Sequence, residues 1–359
     1  MDQVTIENTF YRQDVERVAS YFPWEKLKNC NILVTGARGL IGSFLIDVLM
    51  TANKKEFTVY GMGRDAKSAN QRFKNYKENF HFIQHDISFP HDNLNINFDY
   101  IIHAASNATP CAFIADPVGT IKGNVWGCDN LLSYGIAHGL KRFLYVSSGE
   151  VYGECNDSVY TEISHGYIDN VNWRSCYPNS KILSETLCVS YAQQYNIDTV
   201  IARPSHVYGP CYTSSDNRAF AQFLNNALQK QDIILKSSGL IQRSYCYIAD
   251  CISGILAILF YGKPGNAYNI ATEEATSIKE LAETIAQLSS VQCKIVLPSQ
   301  IEQQQQSPIS HAVLSSIKLK ELGWKSIFNL KEGIERTLTI LNNQSPARKS
   351  TRLHSSHIT

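Results

Sequence analysis

Short apolar segments alternate with amphipathic ones along residues 31–204. The apolar segments are 31–36, 57–62, 80–86, 99–105, 142–148 and 198–204. Strands that are buried on both faces of a parallel sheet have such nearly continuous apolar sequences, and helices connect them. The stretches 42–52 and 125–139 have the spacing of amphipathic helices. The pattern predicts an α/β fold with a doubly wound parallel sheet and right-handed crossovers.

The sequence outside this alternation predicts further parts of the chain. Residues 1–30 are polar with one weak helical pattern, which indicates an extension lying on the main body. After residue 204 this alternation of apolar and amphipathic segments ends, although 277–290 and 330–341 have the pattern of amphipathic helices. A short polar loop is expected at 303–306. The predicted parts are the extension 1–30, the main domain 31–204 with part of 240–271, a smaller C-terminal α/β domain at 205–341, and a disordered tail at 342–359.

Composition excludes several classes of protein. Lysine and arginine number 33 against 32 acidic residues, so the excess of basic residues typical of a nucleic-acid binder is missing. The ten cysteines form no C-x-x-C pair and no zinc-site spacing. The longest apolar run, 251–262, is too short to cross a membrane, and no secretory signal is visible. We expect a cytoplasmic protein with no metal ion and no nucleic-acid or membrane partner.

Three glycines follow the first predicted strand and open a helix. Gly36, Gly39 and Gly42 stand in VTGARGLIGSFL. Glycines at such a junction allow a tight turn, close approach of the backbone to a pyrophosphate, and packing of the helix on the strand. Glycine also serves ordinary turns, so the flanking strand and helix carry the interpretation. The sequence predicts a dinucleotide site here.

The residues at the end of the second predicted strand leave the identity of the cofactor open. Dinucleotide sites usually have an acidic residue there for the adenosine ribose, whereas this chain has Gly63, Arg64 and Asp65. Arg64 can receive a 2′-phosphate, stack on adenine, or be a surface residue, and Asp65 can still reach the ribose. The choice between NAD and NADP therefore stays open.

Two further motifs suggest proton-transfer chemistry. Tyr177 and Lys181 are four residues apart, so on a helix they share one face, where an ammonium favours the phenolate form of the tyrosine. Ser148 and Glu150 lie in SSGEVYG, directly after a predicted strand. An unrelated surface pair and an ordinary turn are the alternatives for each motif taken alone.

Taken together, these motifs resemble the extended short-chain dehydrogenase/reductase family. Its members are NAD(P)-dependent nucleotide-sugar epimerases, dehydratases and decarboxylases. The likeness covers residues 31–341 and rests on TGARGLIG, HDI, IIHAAS, Asn124, SSGEVYG, Y-x-x-x-K, RPSHVYGP, RSYCYIAD and LGW. It implies a Rossmann-type sheet that binds NAD, with NADP as the alternative, and a smaller C-terminal substrate-binding domain. It also implies a homodimer formed through helices that include the tyrosine-bearing one.

The resemblance assigns a role to each matching residue. The implied cofactor-binding residues are Gly36, Gly39, Leu40, Ile41, Gly42, Arg64, Asp86, Ile87, Ala104, Ala105, Asn124, Tyr177 and Lys181. Ser148 would hydrogen-bond the 4-hydroxyl of the sugar, Tyr177 would take its proton, and Lys181 would hold the nicotinamide ribose. The implied substrate-binding residues are Ser148, Glu150, His206, Arg218 and Arg243, of which Arg243 would grip the diphosphate.

Glu150 reduces the number of reactions that the sequence allows. Family members with Glu in this motif are 4,6-dehydratases or UDP-glucuronate decarboxylases, whereas epimerases typically have no acid there. The R-x-C-Y segment before Lys181 and the stretch with Asp216 and Arg218 resemble the decarboxylases. His206 departs from the family's asparagine. We expect a decarboxylase first, then a 4,6-dehydratase, then a 4-epimerase. A non-catalytic dinucleotide-binding regulator is the alternative of another class, and such relatives typically lose the Tyr or Lys.

Overall fold

The structure is a computed structural model that describes residues 4–91, 94–213, 216–296 and 311–343. The predicted loop at 303–306 and nearly all of the predicted tail at 342–359 lie outside the described residues. The α-helices are α1 Thr9–Ala19, α2 Leu40–Ala52, α3 Ala66–Arg72, α4 Pro110–Ala115, α5 Pro117–Ala137, α6 Cys176–Tyr195, α7 Ala219–Leu228, α8 Ile248–Tyr261, α9 Ile278–Ser289, α10 Ile317–Lys320 and α11 Leu330–Asn342.

Seven parallel strands form the central sheet, in the order β11-β6-β5-β4-β1-β2-β3. They are β1 Asn31–Thr35, β2 Thr58–Gly63, β3 Phe80–Gln84, β4 Tyr100–His103, β5 Arg142–Val146, β6 Thr199–Pro204 and β11 Asn266–Ile270. The six strands expected from the apolar segments are all present, which confirms the predicted doubly wound sheet. The seventh strand, β11, returns from the C-terminal half of the chain and pairs with β6.

Helices cover both faces of this sheet. On one face, α2 and α8 pack with α1 over a large apolar core. On the other face, α5 and α6 pack against each other and against residues of β4 and β5. The long apolar run at 251–262 lies in α8, most of whose side chains are buried, as expected of a core helix. Among the described residues, no helix combines the length and the apolar character needed to cross a lipid bilayer.

The C-terminal part of the chain forms additional small sheets. The remaining strands are β7 His206–Tyr208, β8 Ile233–Leu235, β9 Gln242–Arg243, β10 Tyr245–Tyr247, β12 Thr276–Ser277, β13 Cys293–Ile295 and β14 His311–Ala312. β7 pairs with β10, β8 with β13, and β9 lies between β12 and β14. Strand β9 carries Arg243, whose charge acts on Glu150 shortly after the carboxyl end of β5; ligands of such folds bind at this edge of the sheet.

The N-terminal extension is tied into the body by buried polar contacts. The Tyr11 hydroxyl donates to Asp47 Oδ2 on α2 at 2.6 Å. Asp14 accepts a hydrogen bond from the Tyr247 hydroxyl at 2.7 Å and pairs with Arg336 on α11. Helix α1 therefore bridges α2, which follows the glycine-rich loop, and β10, which follows Arg243.

Candidate active site

The glycine-rich loop joins β1 to α2 at the carboxyl edge of the sheet. Gly36 has a φ of +67°, and a Cβ there would lie 2.8 Å from the carbonyl oxygen of Ala104. A Cβ on Gly42 would lie 2.2 Å from the Gly36 carbonyl oxygen. Both positions therefore require glycine. Gly39 is the N-cap of α2 and provides no capping side chain, so the first N–H groups of the helix, which include those of Leu40 and Ile41, are available to a phosphate.

The loop after β3 brings Asp86 and Ile87 to the same edge. Asp86 accepts hydrogen bonds from the backbone N–H and hydroxyl of Ser88, at 3.0 and 2.8 Å. Burial favours a higher pKa for Asp86, but these hydrogen bonds and the charge of Arg64 hold its pKa below the ordinary value. Ile87 packs against Gly127 of α5, where a Cβ would lie 2.8 Å from Ile87 Cδ1. This loop is suited to one flank of an adenine.

Lys181 and Asn124 lie in the interior between α5, α6 and β5. Lys181 Nζ donates to the carbonyl oxygen of Val146 at 2.8 Å, and burial lowers its pKa to about 8. Asn124 Nδ2 donates to Ser180 Oγ at 2.9 Å, whereas its buried Oδ1 has no partner within the described chain. A ribose could use both groups, because its hydroxyls can accept hydrogen bonds from the Lys181 ammonium and donate to the Asn124 carbonyl oxygen.

Tyr177 is on the first turn of α6, and its phenol ring is buried. Burial and the charge of Glu150 raise the pKa of Tyr177 well above its usual range, while the Ser148 hydroxyl and the charge of Arg218 act in the opposite direction. Lys181 Nζ lies 5.8 Å from the centroid of the Tyr177 ring. The lowering of the Tyr177 pKa expected from the four-residue spacing is not seen here, because desolvation dominates.

Ser148 and Glu150 follow β5 in a 3₁₀ turn, Gly149–Tyr152. The Ser148 side chain caps this turn by accepting from the backbone N–H of Glu150 at 3.2 Å. Burial raises the pKa of the Glu150 carboxyl, and the charges of Arg174 and Arg243 oppose that rise. Glu150 is therefore not an isolated solvated side chain, because it interacts with two arginines that the fold brings to it from distant parts of the chain.

Two residues of this cluster were not predicted as site residues. The ring of Phe113, on α4, stacks on Tyr177 with centroids 5.2 Å apart and an angle of 15° between the planes. The Arg174 guanidinium lies 5.6 Å from the centroid of Phe113. The R-x-C-Y segment was a signal for Arg174. Nothing in the local sequence singled out Phe113.

Arg243, His206 and Arg218 come together from the C-terminal half of the chain. Burial, with the charges of Arg243 and Arg218, lowers the pKa of His206 to about 3, so this imidazole is neutral. Arg218 forms a bidentate ion pair with Asp216, at 3.0 Å from Nε to Oδ1 and 2.6 Å from Nη2 to Oδ2. A further Arg218 N–H reaches the Val207 carbonyl oxygen at 3.2 Å. Most of the N–H donors of Arg218 are thus already used within the protein. An arginine that binds a substrate would be expected to keep more of its donors available.

The residues present fit a bound dinucleotide. Crowding around Gly36 and Gly42 leaves no room for side chains where a pyrophosphate would approach the backbone. Lys181 and the buried Asn124 carbonyl oxygen lie further along the same edge. Within the described residues, no group of three or more histidine, cysteine or acidic side chains is arranged to hold a metal ion.

A family model described as the NAD dependent epimerase/dehydratase family matches residues 32–271. The chain belongs to this family. The match confirms the resemblance seen in the sequence, the prediction of an enzyme, and the prediction of NAD as its cofactor.

Two curated relatives of this chain are UDP-glucuronic acid decarboxylases. UDP-glucuronic acid decarboxylase 6 of Arabidopsis thaliana is 33% identical over 318 residues, which are 85% of this chain and 87% of the relative. UDP-glucuronic acid decarboxylase 1 of Xenopus tropicalis is 30% identical over 309 residues, 86% of this chain and 71% of the relative.

Solved structures share the fold at lower identity. UDP-glucose 4-epimerase from Thermotoga maritima has a TM-score of 0.76 and 23% identity, over 88% of this chain and 99% of its own. UDP-glucuronic acid 4-epimerase from Bacillus cereus, solved with UDP-glucuronic acid and NAD, has a TM-score of 0.74 and 23% identity, over 88% of this chain and 100% of its own. These likenesses confirm the predicted fold class.

Proposed function

We propose that this protein is an NAD-dependent UDP-glucuronate decarboxylase, which converts UDP-glucuronate to UDP-xylose and carbon dioxide. The observation that carries the proposal is Glu150, a carboxylate that acts electrostatically on Tyr177 and on which Arg174 and Arg243 act in turn. Plain C4 epimerisation needs no such acid. The decarboxylase relatives, at 30–33% identity over about 85% of the chain, support the same conclusion.

Each residue of the cluster has a task in this reaction. Bound NAD supplies the chemistry of hydride removal from C4 of the sugar and its later return. Ser148 binds the 4-hydroxyl, and Tyr177 takes its proton as C4 becomes a ketone. The product is a β-keto acid, so the C5–C6 bonding electrons can move towards the C4 oxygen as carbon dioxide leaves. Tyr177 then stabilises the developing enolate oxygen by hydrogen bonding.

Glu150 gives C5 the proton that it takes up after carbon dioxide has left. Burial raises its pKa, which favours the protonated carboxyl that can give this proton to C5. Lys181 holds the nicotinamide ribose and Arg243 the diphosphate, a group suited to its guanidinium fork.

The same carboxylate also supports a second candidate, an NDP-hexose 4,6-dehydratase. In that reaction Glu150 removes the C5 proton while water leaves C6. A 4-epimerase is the third candidate, because Ser148, Tyr177 and Lys181 suffice for it. A panel of nucleotide sugars distinguishes the three reactions.

The test uses UDP-glucuronate labelled with ¹³C at C6, incubated with the full-length protein and NAD. We expect labelled carbon dioxide and UDP-xylose in the NMR spectrum. Tyr177→Phe should lower turnover by about 10²- to 10⁴-fold and leave NAD binding intact, because only the proton-accepting hydroxyl is removed. The absence of labelled carbon dioxide would reject the decarboxylase. A 4-keto-6-deoxy sugar formed from an NDP-hexose would establish the dehydratase, and unchanged turnover in Tyr177→Phe would remove the role given to that residue.

We further propose that the protein is a cytoplasmic homodimer. Helices α5 and α6 pack against each other and expose large apolar side chains, namely Val118, Ile121, Trp126, Ile182, Leu183 and Val189. Exposed apolar surface of this kind is typical of an interface between subunits. All ten cysteines, each within the described residues, are free thiols, which supports a reducing compartment.

A further inference from the structure

Helix α1 precedes the part of the chain that the family model matches, which begins at residue 32. It packs on α2, α8 and α11, and Val15 and Val18 on its inner face are fully buried. Two polar side chains, Tyr11 and Asp14, are buried with them. They are three residues apart and so lie on one face of the helix. Buried polar groups are costly unless they are hydrogen-bonded, so their partners show what this helix holds.

Tyr11 connects α1 to the helix that begins at the glycine-rich loop. Its hydroxyl donates to Asp47 Oδ2 on α2 at 2.6 Å. Burial and the charge of Asp47 raise the pKa of Tyr11 well above its usual range, so the hydroxyl keeps its proton and remains a donor. Asp47 is fully buried and also accepts from Arg72 of α3 and from the Tyr76 hydroxyl. The carboxylate therefore joins α1 to the helices that follow β1 and β2.

Asp14 connects the same face of α1 to the C-terminal half of the chain. Its Oδ2 accepts from the Tyr247 hydroxyl at 2.7 Å, and its Oδ1 pairs with Arg336 Nη2 on α11 at 2.7 Å. Tyr247 is the last residue of β10, a strand that begins two residues after Arg243 and pairs with β7. The hydrogen bond to Asp14 therefore restrains the segment that carries Arg243.

We propose that helix α1 is a positioning element for both binding sites. Tyr11 fixes α2, and with it the glycine-rich loop, for NAD. Asp14 fixes β10, and with it Arg243, for the nucleotide of the substrate. Side chains and helices that are held by a surrounding layer of hydrogen bonds present a ligand site with less freedom to lose on binding. The NAD half rests on the family alone, whereas the nucleotide half rests on the proposed function, in which Arg243 binds the diphosphate.

The experiment removes one hydroxyl at each end of this arrangement. Calorimetry on the full-length protein freed of bound cofactor measures the Kd of NAD and of UDP, each titrated alone. In Tyr11→Phe the Kd of NAD should rise about three- to tenfold, because part of the free energy of a hydrogen bond to a charged group no longer positions α2. The Kd of UDP should stay within about twofold of the wild-type value. Tyr247→Phe should show the opposite, with UDP weakened by the same factor and NAD unchanged.

The two tyrosine variants are matched controls for each other, since both keep the ring and lose only the hydroxyl. Trp24→Phe is a further control within the extension, because it removes the hydrogen bond from Nε1 to the Ala19 carbonyl oxygen, 2.6 Å long, and contacts neither Asp47 nor Asp14. It should lower the free energy of unfolding and leave both Kd values unchanged.

The pattern of the two Kd values separates positioning from a general loss of stability. Equal increases for NAD and UDP in either tyrosine variant, or an unchanged Kd of either variant for its own ligand, would overturn the proposal. A wild-type protein that does not bind UDP would reject the proposed function and with it the nucleotide half. The NAD result for Tyr11→Phe would still decide the other half.

Discussion

At the scale of single residues, the charge of Glu150 depends on residues distant in the chain. Burial favours the neutral form of this carboxyl and raises its pKa, and Arg174 is the strongest of the charges that oppose burial. Arg174 is itself held by the turn before α6, in which its backbone N–H donates to the Asn172 side chain at 3.0 Å. Its guanidinium lies near the ring of Phe113, which stacks on Tyr177. The protonation state of Glu150 therefore depends on residues that surround the reacting groups.

Removing the Arg174 charge should raise the pKa of Glu150. In Arg174→Gln a larger fraction of Glu150 then keeps its proton at any given pH, so the alkaline limb of the profile of kcat against pH, where Glu150 loses the proton that C5 needs, moves to higher pH. Arg174→Lys keeps the charge and should leave the limb near its wild-type position. Glu150→Gln should lower turnover by about 10²-fold or more and abolish that limb. An unmoved limb in Arg174→Gln would contradict this account.

At the scale of elements, α5 and α6 have two different faces. Their inner faces cover the sheet and carry Asn124 and Lys181, and their outer faces expose apolar side chains. An interface on the outer faces would restrain the two helices that position the cofactor-binding groups. Helix α1 acts similarly on the opposite side of the sheet, where Tyr11 restrains α2 through Asp47.

The variant Trp126→Glu/Leu183→Glu should convert the proposed dimer to a monomer, because it places two charges in the apolar interface proposed above. Analytical ultracentrifugation measures the change in mass. Val171→Glu is the matched control, since Val171 is 96% exposed and lies outside both helices. A wild-type protein that sediments as a monomer, or equal dissociation in the control, would contradict the assignment.

At the scale of the whole molecule, Asp250 joins the main body to the C-terminal segment. It is fully buried in the first turn of α8 and accepts hydrogen bonds from the backbone N–H groups of Ile327 and Phe328. Burial raises its pKa to about 7. Because the folded pKa is above the unfolded value, the stability from this group is full below about pH 4 and is lost as the pH rises through about 7.

Asp250→Asn should therefore remove part of the fall in unfolding free energy between pH 5 and pH 8. The difference between variant and wild type should amount to at most about 4 kcal/mol across the titration, since each pKa unit corresponds to about 1.4 kcal/mol. Urea unfolding at several pH values measures it. Glu335→Gln, at an exposed carboxylate of α11, should leave the pH dependence unchanged. Parallel curves for Asp250→Asn and wild type would refute the assignment.

The sequence by itself determined the features that depend on local spacing. Apolar segments of strand length between amphipathic stretches specify a parallel sheet covered on both faces, because backbone groups so buried must pair within the sheet. The glycine pattern after β1 and the four-residue spacing of Tyr177 and Lys181 are likewise local, so the cofactor loop and the tyrosine–lysine pair could be predicted.

Only the tertiary structure decided the contacts between distant segments. The stacking of Phe113 on Tyr177, the arginines that act on Glu150, and the pairing of β11 with β6 have no local periodicity that would reveal them. The same holds for the pKa of Tyr177, which the neighbouring Lys181 would lower and which burial raises instead. Desolvation depends on everything packed around a group, so it becomes defined only when the whole chain has folded.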